Sequence, residues 1–492
     1  MKERLTKKEI ALSTLTFVIC YCVLAAAMFL MMYINTSHSG HNFTEFANKH
    51  ANGIITVCVS TALLSAIMYA YFFLENKDVF SRCSKIIEIY LLLVISVLIC
   101  DVVAEYLNPT ARPLLFLPLM AAMFFRRRDA LFINSTYMLL IFIFNRFTNS
   151  ADVLSADGTV TMIESVSSIL TIFCAGIIGI FLLKKSKSRI GCVTMAPILF
   201  LPVVGINILL LLPALETITL KSATDIILYS AFDCGLSVLL LMFCVPIYEF
   251  CFAELTPFRL RELTSANARL MSRLKKDAPG TYNHSVVVAQ LAEACASAIG
   301  EDCELARAAA YYHDIGKLKN PEMFTENQSE YDLHKELTPE LSVDIIRSHT
   351  RDGAKLIKKY HLPEFFADVA IQHHGTLPIK YFYAKALKMS DGELNAANYS
   401  YAGPTPTSKI AAIIMIADAS EAAARALPER STEKVAALVN NIVEERMNLD
   451  QFADCNLTMR ELTIITLTVI NGLTGVYHSR VAYPKLVLTK KK

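Results

Sequence analysis

The stretch IALSTLTFVICYCVLAAAMFLMMYI, Ile10 to Ile34, carries no charged residue and is long enough to cross a bilayer as one helix. It lacks a small-residue cleavage pattern, so it reads as a retained helix and not as a signal peptide. Further apolar stretches follow at roughly 53–74, 87–107, 113–125, 130–145, 163–183, 192–213 and 226–249. The 113–125 and 130–145 runs are short and can also form a tight or re-entrant pair. The pattern then stops. Residues 1–250 hold 34 charged residues, whereas residues 251–492 hold 58. Mean hydropathy over the chain is +0.42. The 492-residue chain therefore reads as all-α, with a polytopic membrane domain of about eight spans followed by a domain of water-soluble character.

The loops give an orientation. Lys2, Arg4, Lys7 and Lys8 precede the first span. Alternate loops carry Lys77, Arg82 and Lys85, then Arg126, Arg127 and Arg128, then Lys184, Lys185, Lys187 and Arg189. Eight spans put all these clusters and both termini on the cytoplasmic side, whereas seven would break the pattern. Asp101 and Asp233 fall within or near the ends of apolar spans, where a carboxylate is costly and suggestive of function; bonding to a neighbouring helix is the plainer reading. The outer loop 35–52 contains His38, His41 and His50, which read as a solvated loop before they read as a metal site.

Two composition features exclude whole classes. Net charge is +2, and residues 251–492 balance at 29 basic against 29 acidic residues, so no basic excess exists to grip DNA or a long RNA. The 13 cysteines are odd in number and form no CxxC pair, so they read as free thiols.

Residues 254–280 read as a helical linker. Leu260, Leu263, Leu270 and Leu274 follow three- and four-residue steps, with Asn267 at the remaining seam position. The seam fits either a short coiled coil between two copies or a helix resting on the following domain. The stretch Asp277-Ala-Pro-Gly280 ends it. Beyond lie periodic apolar segments at about 283–299, 303–315, 340–359, 363–373, 409–425, 432–447 and 458–475, with no alternating strand pattern.

Into this helical scaffold the sequence places His284, His313-Asp314, His349, His373-His374 and Asp418. Imidazole and carboxylate together suit divalent metals such as Fe, Mn and Zn. A carboxylate can bridge two cations through its two oxygens, and two metals about 3.5–4 Å apart can clamp a phosphodiester for in-line attack.

The words around these ligands carry a resemblance. Tyr282-Asn-His-Ser285, His313-Asp-Ile-Gly-Lys317 and Gln372-His-His-Gly-Thr376 resemble the HD superfamily of metal-dependent phosphohydrolases. Tyr381-Phe-Tyr-Ala-Lys385, Ile413-Ile-Met-Ile-Ala-Asp418 with Glu421 and Arg425, and His478-Ser-Arg480 with Tyr483-Pro484 narrow this further. They are similar to the seven-transmembrane HD receptors, the PgpH-type cyclic di-AMP phosphodiesterases of bacteria. The resemblance implies a domain organisation of 1–253 membrane, 254–280 linker, 281–485 HD phosphohydrolase and 486–492 basic tail. It implies two divalent metal ions, Mn or Fe, one held by His284, His313, Asp314 and Asp418, the other by Asp314 as bridge with His349, His373 and His374. It makes Asp314 and Lys317 the catalytic pair, with Lys317 facing phosphate, and Lys317, Thr376, Tyr381 and Arg425 substrate contacts.

The implied activity is hydrolysis of cyclic di-AMP to linear pApA by metal-activated hydroxide, from a multi-pass protein of the bacterial cytoplasmic membrane whose HD domain faces the cytoplasm. Its partners are then a cyclic dinucleotide and the lipid bilayer, with a homodimer through the linker or HD domain left open. The alternatives are the same chemistry on another cyclic dinucleotide or nucleotide, or a non-catalytic nucleotide-binding membrane sensor. The sequence departs from the family pattern twice. Only residues 35–52 occupy the place of the large extracellular domain, and Thr405 stands in the Gly403-Pro-Thr-Pro406 loop where the family has a basic residue.

Overall fold

A computed structural model describes residues 5–37, 43–148, 165–186, 188–212, 219–252, 254–328, 331–390 and 394–476. The chain divides into two compact units, Met1–Thr256 and Pro257–Lys492. Among the described residues there is no named strand, only an isolated bridge between Pro378 and Ser400.

The first unit is built from α1 (Lys7–Ser37), α2 (Ala51–Glu75), α3 (Cys83–Tyr106), α4 (Phe116–Phe124), α5 (Arg127–Thr148), α6 (Ser165–Leu183), α7 (Met195–Leu211) and α8 (Leu220–Phe252). Each of the eight apolar stretches overlaps one of these helices, though 113–115 precede α4 without being helical. Six of these helices are long and apolar enough to cross a membrane: α1, α2, α3, α6, α8 and Arg189–Leu210, which contains most of α7. Leu15, Val59, Leu201, Leu239 and Phe243 each expose more than half of their surface, so the outward faces are apolar, as a lipid-facing surface requires.

The 113–125 stretch differs from a simple span. Its helix α4 has nine residues, about 14 Å at 1.5 Å per residue, against a hydrocarbon core of about 30 Å. Phe116 to Met123 are all buried, packed among α3, α5, α6 and α8. The preceding turn, Pro109–Ala111, leads through Arg112 to Leu115 without helical hydrogen bonding. The buried Leu114 N–H meets a side chain as well as the Arg112 carbonyl 2.7 Å away. The Leu114 N–H donates to Asp233 Oδ1 on α8 at 3.1 Å, as does Ser237 Oγ at 3.1 Å. Arg112 Nη1 donates to Asn145 Oδ1 at 2.9 Å. Asp101 accepts from Asn35 Nδ2 at 2.9 Å. Both carboxylates are thus bonded to neighbouring elements. Of the outer-loop histidines, His38 and His41 lie outside the described residues, as do residues 477–492 with His478, Arg480 and Tyr483.

The second unit comprises α9 (Pro257–Thr264), α10 (Arg269–Asp277), α11 (Pro279–Ile299), α12 (Cys303–Tyr312), α13 (Pro339–Lys359), α14 (Glu364–Gln372), α15 (Lys380–Met389), α16 (Lys409–Ala426), α17 (Thr432–Asn448) and α18 (Met459–Val476). α11 is central, packed by α10, α12, α16 and α18. Gly300 ends it at φ 78, a left-handed conformation that glycine adopts without a Cβ penalty. Asp302 then caps α12 by accepting from the Leu305 N–H at 3.0 Å. Ala306, Ala308, Ala309 and Ala310 are fully buried, and their small side chains let α12 lie close against α11.

The leucine seam is not one helix. It breaks between Thr264 and Arg269, with Asn267 exposed in the turn. Leu260, Leu263, Leu270 and Leu274 are between 0% and 6% exposed, because α9 packs on α12 and α10 on α11. The stripe is therefore covered within the chain, and a coiled coil between copies has no seam left to use. α15 was not visible as an apolar period. Its Phe382 and Ala386 are held by Val343 and Tyr399, contacts made only on folding. All 13 cysteines are free.

Candidate metal centre

His313 and Asp314 emerge where α12 ends and a 3-10 turn, Ile315–Lys319, begins. Gly316 in that turn explains how α13 arrives beside them. A Cβ there would lie 1.9 Å from the His349 carbonyl oxygen, so only glycine admits the α13 backbone at this point. His349 on α13 is thereby carried to Asp314. His373 and His374 follow the last turn of α14, His284 lies on α11 and Asp418 on α16. The structure brings all seven together.

The two oxygens of Asp314 face different neighbours. Oδ2 lies 3.3 Å from His313 Nε2 and 3.8 Å from His284 Nε2. Oδ1 lies 3.3 Å from His349 Nε2 and 3.7 Å from His373 Nε2. Asp418 completes the set, with Oδ1 2.9 Å from His284 Nε2 and 3.8 Å from His313 Nε2, and Oδ2 3.7 Å from His374 Nδ1. Two groups result, His284, His313, Asp314 and Asp418 on one side and His349, His373 and His374 on the other.

The far sides of the rings fix which nitrogen faces inward. His313, His349 and His373 each turn Nδ1 to the carbonyl three residues earlier, Ala310 at 2.7 Å, Ile346 at 2.6 Å and Ala370 at 2.9 Å. Each Nδ1 donates there, so Nε2 is the nitrogen turned toward the cluster. His284 Nδ1 donates to Glu421 Oε2, and Glu421 in turn accepts from Arg425. His374 is the exception. It presents Nδ1 inward and stacks on Tyr401, with ring centroids 4.2 Å apart.

These donors fit a divalent cation. His349 Nε2 and His373 Nε2 lie 3.3 Å apart with their protons committed elsewhere, so two lone pairs face each other. His313 Nε2 and Asp314 Oδ1 are buried without a hydrogen-bond partner. Both conditions are costly in the absence of a positive charge between them.

The electrostatics separate the two groups. Burial works against the charged form of His313, yet Asp314 beside it holds the imidazolium up to about 10. Burial pushes His349 down to about 4, against the pull of Asp314, and pushes His374 well below the ordinary imidazole value, with His373 adding to the effect in both. Burial likewise opposes ionisation of Asp314 and Asp418, but Lys317 and His313 hold the first well below the usual carboxylate range, and His284 and His313 hold the second there.

A cavity of about 910 Å³ opens over this cluster, at the upper end for small-molecule sites. Lys317, Tyr381 and Arg425 line it. Lys317 is already engaged, with Nζ 2.8 Å from both Asp314 Oδ2 and Glu326 Oε1. Thr376 is not among the lining residues. Its hydroxyl accepts from Gln451 Nε2 at 2.9 Å, which ties the loop after His374 to the turn after α17. Thr405 donates to Asp454 Oδ2 at 2.6 Å and does not line the cavity either.

Glu326, Tyr401 and Arg446 also line the cavity, and sequence reasoning missed them. Glu421 was quoted but given no role, although its position three residues after Asp418 puts both on one helix face. The others had no such signal, because each is brought in by folding.

The family model described as HD domain matches residues 281–423. The chain is 43% identical over 281 residues to the cyclic-di-AMP phosphodiesterase PgpH of Listeria monocytogenes, covering 57% of this chain and 39% of that protein. It is 38% identical over 320 residues to the Bacillus subtilis protein of the same name, covering 64% and 44%. It thus spans about two fifths of the length of these curated relatives. The crystal structure of the L. monocytogenes PgpH HD domain in complex with cyclic-di-AMP is 46% identical, covering 44% of this chain and 99% of that one, with a TM-score of 0.42.

Proposed function

We propose that this protein is a membrane-anchored phosphodiesterase that opens cyclic di-AMP to linear pApA by adding water across one phosphodiester. The observation that carries it is the division of Asp314, whose two oxygens face two separate groups of metal-type donors 3.3 Å away on either side. The names of the two curated relatives support the substrate.

Two divalent ions, Mn or Fe, would be held by His284, His313, Asp314 and Asp418 and by Asp314, His349, His373 and His374. When bound they would supply Lewis acidity toward a phosphoryl oxygen and a nucleophile at neutral pH. The chain's own residues do the remainder. The carbonyls of Ala310, Ile346 and Ala370 fix three imidazoles in the ligating tautomer. Lys317 balances the charge of Asp314 and sits at the cavity wall, where it offsets negative charge that builds on the phosphoryl group. Tyr381, 70% exposed at the rim, offers a flat face to a base. The reaction breaks one P–O bond to a ribose oxygen, which leaves with a proton, and forms one P–O bond to the oxygen of water.

The same reading places the N-terminus and the second unit in the bacterial cytoplasm, residues 254–280 as the connection, and 281–485 as the hydrolase.

The test is the full-length protein in nanodiscs, stripped with chelator and reloaded with Mn²⁺, Fe²⁺ or Mg²⁺. Cyclic di-AMP and cyclic di-GMP are assayed side by side, with products resolved by chromatography. Metal-dependent conversion of cyclic di-AMP to pApA is expected. Preference for cyclic di-GMP, or binding without turnover at any metal, would replace this reading with one of the alternatives.

A further inference from the structure

A cyclic dinucleotide brings two phosphates into one cavity, and a metal centre of this size can hold only the one that is cut. The second carries a full negative charge into a half-enclosed space and needs its own partner there. Three non-histidine cations line the cavity, Lys317, Arg425 and Arg446. Two of them are each held by a carboxylate that lines it, Glu326 for Lys317 and Glu421 for Arg425. Lys317 lies between Asp314 and Glu326, and Arg425 donates through Nε and Nη2 to Glu421.

Arg446, on α17, differs. Its side chain is only 11% exposed, so a guanidinium is kept largely out of water at the cavity wall. Its ion-pair partner is Glu445, at 3.1 Å through Nη1. Glu445 is not one of the cavity-lining residues, and it also pairs with Lys380 at 2.5 Å. The other contact of Nη1 is a long one, 3.4 Å to the Ile442 carbonyl. Nε is buried without a partner, and Nη2 makes no hydrogen bond among the described residues. One side of the guanidinium is thus anchored outside the cavity through Nη1, and Nη2, which has no partner among the described residues, is left for an oxyanion of the ligand.

We infer that Arg446 holds the phosphate that is not cut, and so selects a cyclic dinucleotide over a simple phosphodiester. The inference rests on the proposed reaction and deepens it.

The experiment uses two substrates in the metal-loaded full-length protein. Cyclic di-AMP has both phosphates. Bis(p-nitrophenyl) phosphate has one and reports on the metal centre alone. Arg446→Gln is expected to raise KM for cyclic di-AMP by about 10- to 100-fold, the value of one charge-assisted contact. Its turnover of bis(p-nitrophenyl) phosphate and its metal content stay at wild-type levels. Arg446→Lys keeps the charge but not the fork, so its KM lies between the two. Equal losses on both substrates, or metal loss, would show that Arg446 only supports the fold around Asp418. No change on either would show that it touches no phosphate. If the wild-type protein cleaves bis(p-nitrophenyl) phosphate but not cyclic di-AMP, the proposed substrate falls, and the role of Arg446 with it. If it cleaves both and the variant leaves their ratio unchanged, only the role of Arg446 falls.

Discussion

Lys317 lies within 2.8 Å of both Asp314 and Glu326, so removing it changes the charge of the metal centre as well as the cavity wall. Lys317→Ala leaves two carboxylates less compensated, which favours cation binding. Turnover nonetheless falls, because a compact positive charge near the phosphoryl group is lost. The expected cost is ~2–4 kcal/mol, about 30- to 1,000-fold in rate. Turnover paired with metal stoichiometry checks it. Metal loss together with activity would mean that Lys317 holds Asp314 in place and does nothing more. Glu421→Gln addresses the opposite side of the cluster. Glu421 is 1% exposed and receives the Nδ1 proton of His284, so the amide weakens the control over that ring. Metal affinity should drop by roughly 10- to 100-fold, the usual effect of losing a carboxylate behind a ligating histidine. Titration with a competing chelator measures it, and unchanged affinity would sink the idea. Six of the seven donor residues sit in short contiguous words such as His313-Asp314 and His373-His374, whereas His349 stands outside any such word. Glu326, Tyr401 and Arg446 were not readable in the sequence, since nothing local marks a residue that acquires its role from a neighbour across the fold.

At the scale of elements, the approach of α13 to the 3-10 turn depends on Gly316. Gly316→Ala puts a methyl group against the His349 carbonyl, which is backbone and cannot swing aside. Overpacking of this kind costs about 1–3 kcal/mol. The unfolding temperature by circular dichroism should fall, and metal content should fall with it as His349 is pushed away from Asp314. A variant with wild-type values for both would disprove the close approach. The start of α18 carries a pH-dependent contribution. Thr458 and Glu461 bond reciprocally, Thr458 N–H to Oε2 at 2.9 Å and Glu461 N–H to Oγ1 at 3.2 Å, forming a capping box. Lys409 on α16 adds an ion pair at 2.5 Å, and this, with the Thr458 bonds, holds the Glu461 carboxyl down to about 2. A depressed acid stabilises the folded state fully above its ordinary value near 4.5 and loses that contribution as pH falls toward 2. The stability gap between wild type and Glu461→Gln should therefore shrink on acidification from about pH 6 to about pH 3. A gap constant across that window would assign the effect to shape, not charge. The helices of this unit were legible from apolar period. The exception was α15, whose buried positions are Phe382 and Ala386 in a largely polar setting.

Across the whole molecule, the division into an apolar and a charged half follows directly from composition, and the contact division at Thr256 and Pro257 falls in the same region. What composition could not resolve is the 113–125 stretch, where a run apolar enough to suggest a span is a nine-residue helix preceded by a non-helical stretch. Hydropathy averages over such a break, because Leu114 and Leu115 score alike whether helical or extended. Orientation is testable without resolving it. A cysteine at Ala397, exposed in the second unit, should resist an impermeant thiol reagent in intact cells, and one at Ser39 should react above the background of the native thiols. The reverse labelling would put the metal centre outside the cell.

The bond from Leu114 to Asp233 also has a consequence for biosynthesis. The two residues are 119 positions apart, and the carboxylate is made second. A ribosome adding about 5–20 residues per second needs roughly 6–24 s to cover that distance. For that interval the Asp233 carboxylate does not exist, and the Leu114 N–H has only the Arg112 carbonyl, 2.7 Å away in the finished fold, as a protein acceptor. On the reading of this unit as membrane-embedded, hydrocarbon offers it no second one. The expected consequence is that this segment settles into its final place only after α8 has been made.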